Sequence, residues 1–325
     1  MSVATPGGAG PGGTLGCAVV TRMLGGSPAG TATAMRCWLL IEQPGPWSAD
    51  ALDQVLTEAF VPERRETLER LKATAGLRPL LIREPGRRQR QARTTRRTVL
   101  VGGGEPGNRW LERLEIGDLR ELAALDLEAI ANGRGGIGET VTGPVFLVCT
   151  HGSKDMCCAL LGRPLATALG ASHPGRSWET SHLGGDRWAG NLLVVPDGYM
   201  HGHLDAAEAT VVAKAAFRGQ VEPAKLRGRT SAASQWSQYA EIAVRRETGL
   251  SGLDDVVAVR EETLRDDPQS ASETRRATVH SGQGVFEVTV RRQAAVARGT
   301  SRCAEMIAPP GYVTESITQI APAVA

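Results

Sequence analysis

Residues 145–205 read VFLVCTHGSKDMCCALLGRPLATALGASHPGRSWETSHLGGDRWAGNLLVVPDGYMHGHLD. The apolar run at 145–149 has strand length and closes on Cys149. A helix is expected from about Asp155 to Leu169, interrupted at Pro164, which lacks the N–H that a helix interior needs. SWETSHLGG gives an extended segment, NLLVVPDG a strong strand ending in a Pro-Asp-Gly turn, and YMHGHLD a short strand. DAAEATVVAKAAFRG then predicts an amphipathic helix with Asp205 as its N-cap. Strand, helix, strand, strand, strand, helix is the order of a small α/β sandwich of the thioredoxin type, with helices packed on a mixed sheet.

The preceding hundred or so residues repeat that order. MRCWLLIEQ supplies a strand, and PGPW breaks it. Ser48 caps a helix that restarts at Pro62, and RPLLIRE (78–84) is a second strand. TVLVGG (98–103) and RWLERLEI (109–116) pair as a hairpin. A helix from Asp118 then carries Leu119, Leu122, Leu125, Leu127 and Ile130 on one face. The first half therefore reads as a degenerate thioredoxin-like copy without the cysteines. Gly102, Gly104 and Gly107 match G-x-G-x-x-G, but Pro106 lies inside the motif and a strand follows where a dinucleotide site needs a helix, so a turn is the better reading. Six arginines between Arg87 and Arg97 read as a solvated loop, with no aromatic residue among them to stack a base.

These elements divide the chain into a disordered leader at 1–30, in which Cys17 is an incidental thiol, and a first thioredoxin-like domain at 31–139. A second follows at 140–225, and a tail at 226–325 consists of a helix and a small antiparallel sheet. With 41% hydrophobic and 22% charged residues the composition is that of a soluble globular protein, and a net charge of +2 gives no reason to expect nucleic acid or a membrane surface as partner. No apolar run has bilayer length and no secretory signal is apparent at the N-terminus, so the expected location is the cytoplasm. Thiols are kept reduced there, and clustered cysteines bind metal or do redox chemistry more often than they form structural bridges.

The chemistry concentrates in the second half. Three of six cysteines (Cys149, Cys157, Cys158) and five of six histidines (His151, His173, His182, His201, His203) fall within 145–205, which marks it as the candidate site. Cys149 ends a strand and Cys158 lies near the start of the following helix, whose N-terminal N–H groups stabilise thiolate, the form that binds metal. His182 ends a later extended segment, so all three can meet at one sheet edge.

CTHGSKDMCC with its C-x8-C pair, SHLGGDRWAGN, WLLIEQPGPW and VVPDG together resemble the sucrase/ferredoxin-like proteins, whose domain is a thioredoxin-like [2Fe–2S] ferredoxin. The resemblance implies an electron carrier rather than an enzyme with its own substrate. It implies a [2Fe–2S] cluster held by Cys149 and Cys158 on one side and an H-x3-H pair on the other, and an unidentified redox protein as partner. His182 matches the first histidine of that pair, and Asp186 stands at the second. Three readings of this position stay open: Asp186 is itself the ligand, His151, His201 or His203 replaces it, or the cluster is lost. Cys157 reads as buried core, and His151 also as a hydrogen-bond donor beside the sulfurs. Two other functions use the same residues. One is thiol–disulfide exchange by Cys149 with Cys157 or Cys158, against which the long spacing argues. The other is a tetrahedral zinc site of two Cys, one His and one Asp. No paired carboxylates suggest a glycosidase.

Overall fold

The computed structural model describes residues 16–86, 96–267, 272–293, 298–301, 304–307 and 311–323. Most of the arginine-rich segment, Cys303 and the first fifteen residues lie outside these. In chain order the elements are α1 (Cys17–Met23), β1 (Cys37–Glu42), α2 (Ala51–Ala59), α3 (Pro62–Ala75), β2 (Leu77–Arg83), β3 (Arg97–Glu105) and β4 (Asn108–Ile116). They continue with α4 (Leu127–Ala131), β5 (Glu139–Thr140), β6 (Val145–Cys149), α5 (Met156–Ser172), β7 (Ser177–Thr180), β8 (Leu192–Val195) and β9 (Tyr199–His201). The rest is α6 (Ala206–Ala216), β10 (Leu226–Arg229), α7 (Gln235–Thr248), β11 (Val256–Asp267), β12 (Ser272–Ser281), β13 (Gly284–Arg292), β14 (Arg298–Ser301), β15 (Ala304–Ile307) and β16 (Tyr312–Pro322).

One ten-stranded sheet runs β10-β9-β8-β6-β7-β2-β1-β3-β4-β5. On one side β1 and β2 are parallel, with β3 antiparallel to β1 and β4 to β3. On the other side β6 and β7 are parallel, with β8 antiparallel to β6 and β9 to β8. The two sets of four meet where β2 runs antiparallel to β7, through the pairs Ile82↔Thr180 and Arg83↔Glu179. The tail forms a separate antiparallel sheet, β11-β12-β13-β16, on which α7 packs. The fold is thus mixed α/β with a second, smaller sheet.

Strand period sorts the apolar residues onto the two faces. In β1, Cys37, Leu39 and Ile41 join a cluster with α2, α3 and α4, while Trp38 and Leu40 face the opposite side. In β6, Phe146 and Val148 meet α5 and α6, while Val145, Leu147 and Cys149 share the face of Trp38 and Leu40. One continuous core on that face therefore spans both halves of the sheet, and Cys149 sits in it.

Three expectations differ from the structure. Residues 17–23 are helical, and Cys17, Ala18 and Thr21 are buried, so this part of the leader is ordered and packed. The helix expected from Asp118 is a 3-10 turn at Leu119–Ala124 followed by α4, because Leu125 is extended and Asp126 opens a second N-cap by accepting from Ala129 N. α5 is uninterrupted: it passes through Pro164, and the carbonyl that loses its partner belongs to the exposed Leu160. After α6 the chain also contributes β10, which pairs with β9 at the edge of the large sheet.

Candidate metal centre

β6 delivers Cys149 at its C-terminal end, 1% exposed. The chain then turns back through 150–155 and is pinned to the first half of the sheet. His151 Nε2 lies 2.8 Å from Ser48 O, Ser153 Oγ donates to Trp47 O at 2.7 Å, and the His151 ring stands edge-on to Trp47. Asp155 caps α5 by accepting from Cys157 N at 2.7 Å. This places Cys158 in the first turn of the helix, fully buried.

Gly162 sets how closely α5 approaches β6. A Cβ at this position would overlap the Cys149 carbonyl oxygen, so only glycine lets the helix lie against the end of the strand. Gly162→Ala is expected to destabilise the fold by about 1–3 kcal/mol through overpacking and to separate the Cys149 and Cys158 sulfurs. Thermal unfolding and metal stoichiometry of the variant check this.

His182 comes from the segment after β7. Its neighbour Ser181 is fixed to β2, donating its N–H to Leu81 O at 2.8 Å and accepting from Leu81 N at 3.0 Å. Leu183 O accepts from Thr33 Oγ1 at 2.7 Å. Gly184 and Gly185 follow with φ of 83° and 72°, a left-handed pair that turns the chain sharply toward Asp186. Between these anchors His182 is half-buried, with Nδ1 3.8 Å from Cys158 Sγ. One donor atom from each of Cys149, Cys158 and His182 lies within 4.8 Å of the others.

The protons in this group are shared. Cys149 is held well below the ordinary thiol range, first by the Cys158 thiol that donates to it and then by His182 and the Leu183 N–H. Cys158 is raised because its proton is committed to Cys149 and its surroundings are buried. His182 is raised by its hydrogen bond to the Cys149 sulfur. The two sulfurs and the imidazole meet in a space where a bound cation would displace the protons they share, and metal ligation of this kind releases protons.

Arg227, in β10, was not singled out from the sequence, because RGR reads as solvated linker. Its side chain is 2% exposed, donating to Gly184 O and Asn191 Oδ1 at 2.9 Å each and also to Thr31 O. Burial lowers its pKa to about 10, while Cys149, Cys158 and Asp186 act to raise it. A buried guanidinium near the sulfurs is a fixed positive charge that would offset an anionic metal centre.

The remaining sequence candidates go elsewhere. Asp186 starts a 3-10 turn, and its Oδ2 lies 3.4 Å from Cys17 Sγ. It is near enough for its charge to raise both Cys158 and His182, but the close set of three donors does not include it. Cys157 is buried as expected, with its sulfur 3.6 Å from that of Cys17. His201 Nε2 is 2.9 Å from Glu222 O, and His203 Nε2 is 2.9 Å from Arg187 O, so each ring is bound to backbone.

Burial lowers His201 and His203 to about 4 each. The unfolded chain protonates both below about 6.5, so between these values unfolding takes up protons and stability falls as pH falls. The expected cost is about 1.4 kcal/mol per pH unit for each histidine. Urea unfolding at pH 7 and pH 5 checks it, and His201→Gln should flatten the dependence.

The arrangement can be compared with known proteins. The family model described as sucrase/ferredoxin-like matches residues 28–228, more than half of the chain. The chain belongs to this family. The match covers β1 through most of β10, and so takes in Cys149, Cys158, His182 and Arg227. No curated protein and no solved structure matches it. The Cys149, Cys158 and His182 side chains could hold a metal ion, and among the described residues no helix is long and apolar enough to cross a membrane.

Proposed function

We propose that this member of the sucrase/ferredoxin-like family is a one-electron carrier with a [2Fe–2S] cluster. The observation that carries the reading is the convergence of Cys149, Cys158 and His182 within 4.8 Å, two thiols and an imidazole from three separate elements. Such a donor set suits iron–sulfur ligation, and histidine in place of thiolate raises the potential of a cluster. When bound, the cluster would accept and release one electron at a time. Cys149 and Cys158 would hold it from the buried side. His182, half-buried, would hold it at the side nearer solvent, where a redox partner protein could approach. Arg227 would offset its negative charge, and the helix N-terminus at Cys158 adds to this.

Asp186 occupies the position of the family's second histidine and is the proposed fourth ligand. A carboxylate is harder and more electron-donating than imidazole, so Asp186→His is expected to raise the midpoint potential. Redox titration followed by the visible spectrum measures it, and an unchanged potential would exclude Asp186 as a ligand.

The shared strand order of the two halves, β2-β1-β3-β4 and β7-β6-β8-β9, supports reading them as a thioredoxin-like pair in which the first lost its ligands. Thiol exchange is the less favoured function: Cys149 and Cys158 are both essentially inaccessible, at 1% and 0%, and exchange needs an exposed attacking sulfur.

A further inference from the structure

Around Cys17 the fold assembles a second group of donors that the cluster does not use. α1 lies against the start of α5 and the Asp186 turn. Cys17 Sγ is 3.6 Å from Cys157 Sγ and 3.4 Å from Asp186 Oδ2. Cys17, Asp155 and Cys157 each offer a ligand atom within 4.8 Å of the other two. Both sulfurs are buried, at 2% and 5% exposure.

We propose that Cys17, Cys157 and Asp155 bind a divalent ion of the zinc class, in a site adjacent to the Cys149–Cys158–His182 centre but separate from it. The distances are those of a tetrahedral ion. Two thiolates at about 2.3 Å from zinc stand about 3.8 Å apart, and a thiolate and a carboxylate oxygen about 3.6 Å apart. The observed 3.6 Å between the sulfurs needs only a small adjustment, and the Asp155 oxygen lies within 4.8 Å of both. Asp155 Oδ1 accepts from Cys157 N at 2.7 Å, which fixes the carboxylate beside the two sulfurs.

Local structure explains how vicinal cysteines serve two sites. Successive side chains on a helix leave it about 100° apart, so Cys157 and Cys158 project to different sides of α5. Cys158 enters the sheet core, and Cys157 enters the small cluster with Cys17, Ala18 and Ala189. Gly16 makes the approach possible: a Cβ there would stand 2.7 Å from Cys157 Sγ. Two thiols and a carboxylate in a largely buried space become an anionic set once the thiols lose their protons, and a divalent cation offsets that charge.

Metal analysis of the full-length protein, purified without oxygen and with zinc supplied, tests the site. About one zinc per chain is expected in the wild type. Cys17→Ser and Cys157→Ser should lose it and keep iron, while Cys149→Ser should lose iron and keep zinc. Retention of iron shows that a variant has folded. Cobalt exchanged into the wild type gives an independent reading, since thiolate-to-cobalt charge-transfer bands should appear and be absent from Cys17→Ser. Wild-type protein without zinc, with Cys17 and Cys157 either both alkylated on unfolding or joined in a disulfide, would overturn the proposal. Zinc lost from Cys149→Ser but kept by Cys17→Ser would also overturn it. Zinc at this site in a protein that carries no iron would support it while removing the iron–sulfur reading of its neighbour.

Discussion

Glu179→Ala is expected to destabilise the protein by about 3–5 kcal/mol, the cost of leaving a buried charge without its partner. Glu179 and Arg83 form one of the two residue pairs in register between β2 and β7, the seam that joins the two halves of the large sheet. Their side chains are 5% and 8% exposed, and Glu179 Oε2 accepts from Arg83 Nε at 2.8 Å, Arg83 Nη2 at 2.6 Å and Thr150 Oγ1 at 2.8 Å. Arg83 also lies over the Trp47 ring at 4.1 Å and donates to Gly45 O. Removing the carboxylate leaves the guanidinium buried with one carbonyl and an aromatic face. Replacing both partners, as in Arg83→Met with Glu179→Leu, should cost much less than either single change, because no charge is then stranded. Urea unfolding of the three variants measures the difference. A single-variant cost below about 1 kcal/mol would mean that water reaches the seam.

Cys158→Ser is expected to reduce bound iron to background while leaving the folded structure intact by circular dichroism. Serine preserves size and hydrogen bonding in the first turn of α5, so helix capping by Asp155 is undisturbed. It does not supply the thiolate that iron prefers, and its hydroxyl keeps its proton at neutral pH. Cys149→Ser should behave alike. Cys157→Ser should keep its iron, because Cys157 lies in the small cluster with Cys17 and not in the core with Cys149. Equal iron loss from Cys157→Ser and Cys158→Ser would contradict the division of these neighbours between two sites.

Much of this site was legible in the sequence because its parts lie in regular elements. A buried strand closing on Cys149, an Asp cap before the cysteine pair and a glycine pair after His182 each have a local signature, and the structure brings the three residues together. What was missed depends on partners distant in sequence. Cys17 lies in a short segment between glycine-rich stretches whose buried side is Cys17, Ala18 and Thr21 rather than its large apolar residues, and Cys17 packs against α5 and the Asp186 turn. Arg227 and Arg229 make β10 look like a charged linker. In the fold, one meets Asn191 and the carbonyls of the glycine turn, and the other pairs with Glu241 at 2.5 Å, both well buried. The stretch after Asp118 carries the apolar spacing of one helix, but Leu125 is extended and the cap at Asp126 starts a second one.

Iron and acid-labile sulfide, counted per chain in protein purified without oxygen, test the central reading most directly. A brown protein with about two of each is expected, in the stoichiometry of a [2Fe–2S] cluster. A colourless protein with neither, and with zinc held by Cys149, Cys158 and His182, would contradict it.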